Sequence, residues 1–155
     1  MFDAPLDAWY TWLGVAVTAT ALLGVALALP AGVPPDAGRA AAAVDRVAAS
    51  PHAAVATVSL DAEAVRLEPA GLALRNAAGT AHAALRHGPV RWAGQGTLLG
   101  SVLAGARPGA VFSRPAGFLR ALADARDASG DWHAVDGRLR IRHVVWGGTD
   151  VTLVG

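Results

Sequence analysis

The chain has 155 residues and a formal net charge of +1, from 13 basic and 12 acidic side chains. It contains no cysteine, which excludes disulfides, thiol catalysis and cysteine-ligated zinc or iron–sulfur sites. So balanced a charge lacks the broad basic footprint that binding to a phosphate backbone requires, and we expect no nucleic acid among the partners.

An uncharged, mostly apolar run of 22 residues lies near the N-terminus, from Ala8 to Leu29 (AWYTWLGVAVTATALLGVALAL). As an α-helix it would be about 33 Å long, which matches the hydrocarbon core of a bilayer. Aromatic residues gather in its first turn, where rings favour lipid headgroups, and Pro30 follows its last residue. The pattern predicts a single-pass transmembrane anchor within 1–30, with membrane contacts from Trp9, Tyr10, Trp12, Leu22, Leu23 and Leu29.

Two other interpretations of this run stay open: a buried core helix, and a secretory signal cleaved near Ala28, where a small-x-small pattern occurs. Asp3 and Asp7 precede the run without any basic residue, which is unlike a signal peptide. Arg39 and Arg46 follow it, and this weak charge bias favours a cytoplasmic domain.

Small residues recur at every fourth position along the same run. Such a stripe lets two helix backbones approach closely inside lipid. We therefore predict a helix-packing face formed by Ala16, Thr20, Gly24 and Ala28.

Residues 31–52 predict a linker and a helical stem, with Asp36 as the N-cap, and residues 53–155 predict one domain. Apolar and polar residues alternate over 54–87, which indicates strands of an antiparallel meander. A helix is expected between Ser113 and Gly130, followed by two β-rich runs joined across a glycine pair. The predicted fold class is α+β: a transmembrane helix and stem, then a small antiparallel sheet with one packed helix.

No residue pattern indicates catalysis or a bound cofactor. The five histidines lack metal-ligand spacing, and neither a GxSxG elbow nor a glycine-rich phosphate loop occurs. We expect a protein that is not an enzyme, with no catalytic residue, no metal and no cofactor.

Three arginines alternate along the strand predicted over 138–146 and share one of its faces: Arg138, Arg140 and Arg142. This face would suit an anionic partner. It would equally suit contact with water, with nearby Asp136 and Asp150 as counterions.

The order of an apolar N-terminal helix, a helical stem and a small antiparallel sheet with one helix resembles type IV pilins and pseudopilins. The basic-Gly processing motif of prepilins is missing. The opening FDAPLDAWYTWLGVAV and the closing RLRIRHVVWGGTDVTLVG resemble uncharacterised haloarchaeal single-span membrane proteins encoded beside pilus-like or secretion machinery. The net charge of +1 departs from the acidic surfaces usual in haloarchaea.

This resemblance implies a non-enzymatic, membrane-anchored accessory or minor pilin-like component of a type IV pilus-like or secretion assembly. Its partners would be membrane lipid and other assembly proteins. The pilin resemblance implies that the domain is extracellular, whereas the weak bias from Arg39 and Arg46 favours a cytoplasmic domain. Two alternatives stay open: a membrane-tethered sensor or binding module for a small anionic ligand, and a secreted domain released by signal cleavage.

Overall fold

The computed structural model describes residues 6–28, 32–127 and 130–155. The chain divides into two compact units, Met1–Gly32 and Val33–Gly155. The boundary between them follows Pro30, where we predicted the end of the apolar segment.

In the first unit the structure describes one helix, α1 (Leu6–Ala28). Its side chains are described from Trp9 to Gly24, and all of these are exposed. Of the predicted anchor residues, Leu29 lies outside the described part of the chain.

The prediction of a transmembrane anchor is wrong. Within the residues that the structure describes, no helix combines the length and the apolar character needed to cross a membrane. The single-pass architecture and the cell-membrane localisation that we expected therefore lose their basis. We predicted an anchor because the run carries no charge. Insertion into a membrane also requires a favourable transfer free energy from the side chains, and the threonine, glycine and alanine residues that recur along α1 each contribute little to it.

The second unit is α+β and contains two four-stranded sheets where we expected one. Four helices accompany the sheets, where we expected the stem and one packed helix: α2 (Ala37–Ala48), α3 (Leu98–Leu103), α4 (Pro108–Val111) and α5 (Pro115–Asp127). The strands are β1 (Val55–Ser59), β2 (Ala64–Glu68), β3 (Gly71–Asn76), β4 (Gly79–Ala84), β5 (Val90–Trp92), β6 (His133–Ala134), β7 (Arg138–Trp146) and β8 (Thr149–Val154).

The first sheet, here called the β7 sheet, has the strand order β1-β7-β8-β5. Its pairs are antiparallel except that β5 runs parallel to β8. The second, here called the β3 sheet, has the order β4-β3-β2-β6 and is antiparallel throughout. The predicted meander is therefore present as β2-β3-β4, while β1 pairs with β7 in the other sheet.

Helix α2, which we expected to form a stem between the anchor and the domain, packs against strands of both sheets and forms the centre of the main core. Asp36 caps its first turn, as predicted, by accepting a hydrogen bond of 2.8 Å from the Arg39 amide. The small side chains of this helix permit close approach on two sides. Its buried residues are Ala37, Ala40, Ala41, Ala43, Val44 and Val47.

A second core covers the opposite face of the β7 sheet, where α3 and α5 pack. Phe118 is fully buried there, with its ring centroid 5.4 Å from that of Phe112 and 5.7 Å from that of Trp146. Both faces of β7 are consequently covered by helices along part of its length. Whether an arginine on β7 is exposed or half-buried therefore depends on whether a helix covers its part of the strand.

Candidate functional site

The three arginines that we predicted to form an anionic-partner face have different environments. Arg142 is half-buried, and its Nη1 donates to two main-chain carbonyl oxygens, those of Val102 and, at 3.0 Å, Ala106. The Val102 carbonyl lies in the last turn of α3, where a positive charge is favourable, and the Ala106 carbonyl lies in the connection that follows. The Arg142 guanidinium thus forms hydrogen bonds within the fold.

Arg138 and Arg140 remain exposed and line a cleft of about 1250 Å³, here called the β7 cleft. Trp92 and His133 form another part of its lining, together with the carboxylate of Asp136. The cleft therefore carries charges of both signs. The interpretation of this face as a site for an anionic partner stays a prediction, now limited to Arg138 and Arg140.

An aromatic stack joins the two sheets beside this cleft. The rings of Trp92 on β5 and His133 on β6 are 4.3 Å apart and nearly parallel, at 9°. Burial lowers the pKa of His133, and the negative charge of Asp131 opposes that shift without cancelling it. Burial consequently favours the neutral imidazole at His133.

A second aromatic cluster involves Trp132 and two arginines of the β3 sheet. The guanidinium carbons of Arg66 and Arg75 lie 4.7 Å and 4.5 Å from the ring centroid of Trp132, so two cation–π contacts hold the indole. Arg66 also forms a salt bridge of 2.9 Å with Glu68. Sequence reasoning singled out neither arginine, because only tertiary folding brings Trp132 between them.

A second cleft, of about 970 Å³, is here called the arginine cleft. Four basic side chains from separate elements line it: Arg66, Arg86, Arg91 and Arg126. Sequence reasoning missed this group because its members are far apart in the chain and share no strand face or helix face. The one available signal was that arginine is the basic residue used throughout the chain.

The predicted helix-packing face on α1 is exposed at Ala16, Thr20 and Gly24, whereas the side chain of Ala28 lies outside the described part. The Thr20 hydroxyl donates to the Ala16 carbonyl at 2.8 Å, and that of Thr18 donates to its own helix at the same distance. A Cβ atom placed on Gly24 would meet no atom within 4 Å. The stripe is therefore open to an approaching helix.

Across residues 6–28, 32–127 and 130–155, no group of three or more histidine, aspartate or glutamate side chains is placed to hold a metal ion.

No curated protein and no solved structure matches the chain. A family model does match, over residues 3–144, which is most of the chain. The protein therefore belongs to the family of unknown function DUF7283.

Proposed function

We propose that this protein is a non-enzymatic interaction protein that serves as an accessory component of a pilus-like or secretion assembly. The observation that carries the proposal is the exposed apolar surface of α1. Trp9, Trp12 and Leu22 are 69%, 74% and 65% exposed. A helix that is apolar on all its sides is stable in water only when another surface covers it.

Two hydroxyl groups of α1, those of Thr18 and Thr20, are compatible with a dry protein interface. Thr18 and Thr20 donate their hydroxyl hydrogens to main-chain carbonyls four residues earlier, so neither donor needs water. A partner can cover them without leaving a hydroxyl donor unsatisfied. The surface of α1 thus suits an apolar occupant.

The occupant that we infer is an apolar helix of another assembly subunit. The stripe of Ala16, Thr20 and Gly24 keeps side chains short along one face, which lets a second helix pack at close range. The resemblance to pilins also supports packing between helices of neighbouring subunits, because in both cases an apolar helix precedes the domain that contains the sheet. Close helix packing would then join this chain to its neighbour in the assembly.

A pair of glycine substitutions in the full-length chain tests this proposal. Gly24→Ile adds a branched side chain on the stripe, and Gly14→Ile adds the same group about 120° around the helix from the centre of the stripe. A Cβ atom at either site would have open space around it, so the free protein accommodates either change. We expect Gly24→Ile to abolish association with assembly subunits in pull-down and sedimentation measurements, and Gly14→Ile to retain it.

Equal association of both variants would contradict the proposed packing face. A full-length protein that sediments as a monomer when mixed with the assembly subunits would contradict the proposed function itself.

A further inference from the structure

The arginine cleft lies where four parts of the second unit meet. The turn between β2 and β3 contributes Pro69 and Ala70, and the connection between β4 and β5 contributes residues 85–89. Arg91 enters from β5, and Arg126 from the last turn of α5. These elements form a concave wall around a space of small-molecule size.

The positive charge in this cleft exceeds what nearby carboxylates neutralise. Glu68 pairs with Arg66 at 2.9 Å and with His82 at 3.2 Å. Among the described residues, no carboxylate lies within salt-bridge distance of Arg86, Arg91 or Arg126. Three guanidinium groups therefore share the cleft without a counterion from the described chain.

The environment of Arg91 disfavours its positive charge. It is half-buried, and its Nη1 donates to the carbonyl of the adjacent Val90 at 2.8 Å. Burial lowers the pKa of Arg91, and repulsion from the charge of Arg126 lowers it further. A bound anion would oppose both effects, because its negative charge stabilises the charged form of Arg91.

The cleft wall is held in position before any ligand binds. The Asp45 carboxylate on α2 accepts hydrogen bonds from the amides of Arg86, at 2.9 Å, and His87, at 3.0 Å. The Leu85 amide donates to the carbonyl of Ala70 at 2.9 Å, which joins the two turns that flank the space. Such fixed geometry reduces the ordering cost of binding.

We propose that the arginine cleft binds a small phosphate-bearing molecule through Arg86, Arg91 and Arg126. Guanidinium groups present paired N–H donors that match the oxygens of a phosphate, and several of them together favour a dianion or a diphosphate. The β7 cleft is the weaker candidate for such a ligand, because Asp136 offsets part of its positive charge. This inference does not depend on α1, so it can fail without affecting the proposed function.

Binding of inorganic phosphate and of pyrophosphate to the full-length chain tests the proposal, by calorimetry and by thermal unfolding at constant ionic strength. We expect pyrophosphate to bind more tightly than phosphate, and both to raise the unfolding temperature relative to chloride. Arg126→Gln should weaken pyrophosphate binding at least tenfold. Without phosphate, it should not lower the unfolding temperature, since it removes the repulsion with Arg91.

Arg120→Gln is the matched control, because Arg120 lies on the same helix, is exposed and does not line the cleft. It should bind pyrophosphate as the unchanged chain does. Arg86→Gln provides a second variant on a different wall and should also weaken binding. The proposal is overturned if neither anion binds the unchanged chain, or if Arg126→Gln and Arg86→Gln bind pyrophosphate as tightly as Arg120→Gln.

Discussion

Arg142 and His143, consecutive residues of β7, hold the C-terminal ends of two helices on opposite faces of the β7 sheet. Arg142 donates to the carbonyl of Val102 in the last turn of α3 and to that of Ala106 in the connection that follows. His143, which is 2% exposed, has Nδ1 3.2 Å from the carbonyl oxygen of Val47 at the end of α2. Alternation along the strand thus connects the two cores through one dipeptide.

Replacing Arg142 with methionine should destabilise the fold by about 2 kcal/mol, because hydrogen bonds from a charged donor to the carbonyls of Val102 and Ala106 are lost. Methionine keeps most of the apolar stem. Arg140→Met is the matched control, since Arg140 is exposed on the same strand face and should change stability by less than about 0.5 kcal/mol. Urea denaturation measures both. Equal effects would contradict the helix-end role of Arg142.

His143→Leu should cost about 1–3 kcal/mol, since it leaves the Val47 carbonyl without that partner in the core. The other ring nitrogen, Nε2, lies 2.9 Å from Asp150 Oδ1, but this contact lacks the direction of a hydrogen bond. The Asp150 side chain is also 68% exposed, so Asp150→Asn should have a much smaller effect than His143→Leu. Chemical denaturation of the two variants should give this order, and the reverse order would assign the stabilisation to the ion pair.

The β7–β8 hairpin packs closely on the start of α5 at one glycine of its turn. Gly147 and Gly148 have φ of +60° and +78°, so alanine at either position should cost about 1 kcal/mol for the left-handed backbone. A Cβ on Gly147 would also lie 2.7 Å from the Cβ of Pro115, whereas one on Gly148 would meet open space. Thermal unfolding should therefore show Gly147→Ala to be the less stable variant; equal stability would argue against the close packing.

Stability should fall at acidic pH partly through His133, whose pKa is lowered by burial in the folded protein. Between the ordinary histidine pKa of about 6.5 and the lower folded value, the unfolded chain binds a proton that the folded protein does not. The free energy of unfolding therefore decreases as the pH falls through this window. His133→Phe keeps a ring against Trp92 and removes the titration, so denaturation at about pH 7 and about pH 5 should show a weaker dependence. An unchanged dependence would exclude His133 as a contributor.

The sequence predicted local structure well where short-range chemistry determines it. Asp36 identified the start of α2, and the glycine pair at 147–148 identified the hairpin. The sequence did not predict which other elements each helix and strand packs against. We predicted α2 to be a stem that links the anchor to the domain, whereas its small side chains allow both sheets to pack on it.

The arrangement of the candidate sites was likewise not predictable from local sequence patterns. Alternation along the strand predicted one face for Arg138, Arg140 and Arg142, but it could not show that Arg142 would donate hydrogen bonds to the carbonyls of Val102 and Ala106. The arginine cleft combines side chains from β5, α5 and the β4–β5 connection, and no spacing in the sequence links these segments. Contacts between distant segments, rather than local propensity, determine both arrangements.

Site-specific photo-cross-linking in cells that produce the assembly tests the central claim most directly. A photoreactive residue at Val17, which is 64% exposed on α1, should form adducts with an apolar helix of a partner subunit. The same residue at Arg120, exposed on α5, should form no such adduct. An absence of adducts at Val17, or equal labelling from both positions, would contradict the account in which α1 is the contact surface.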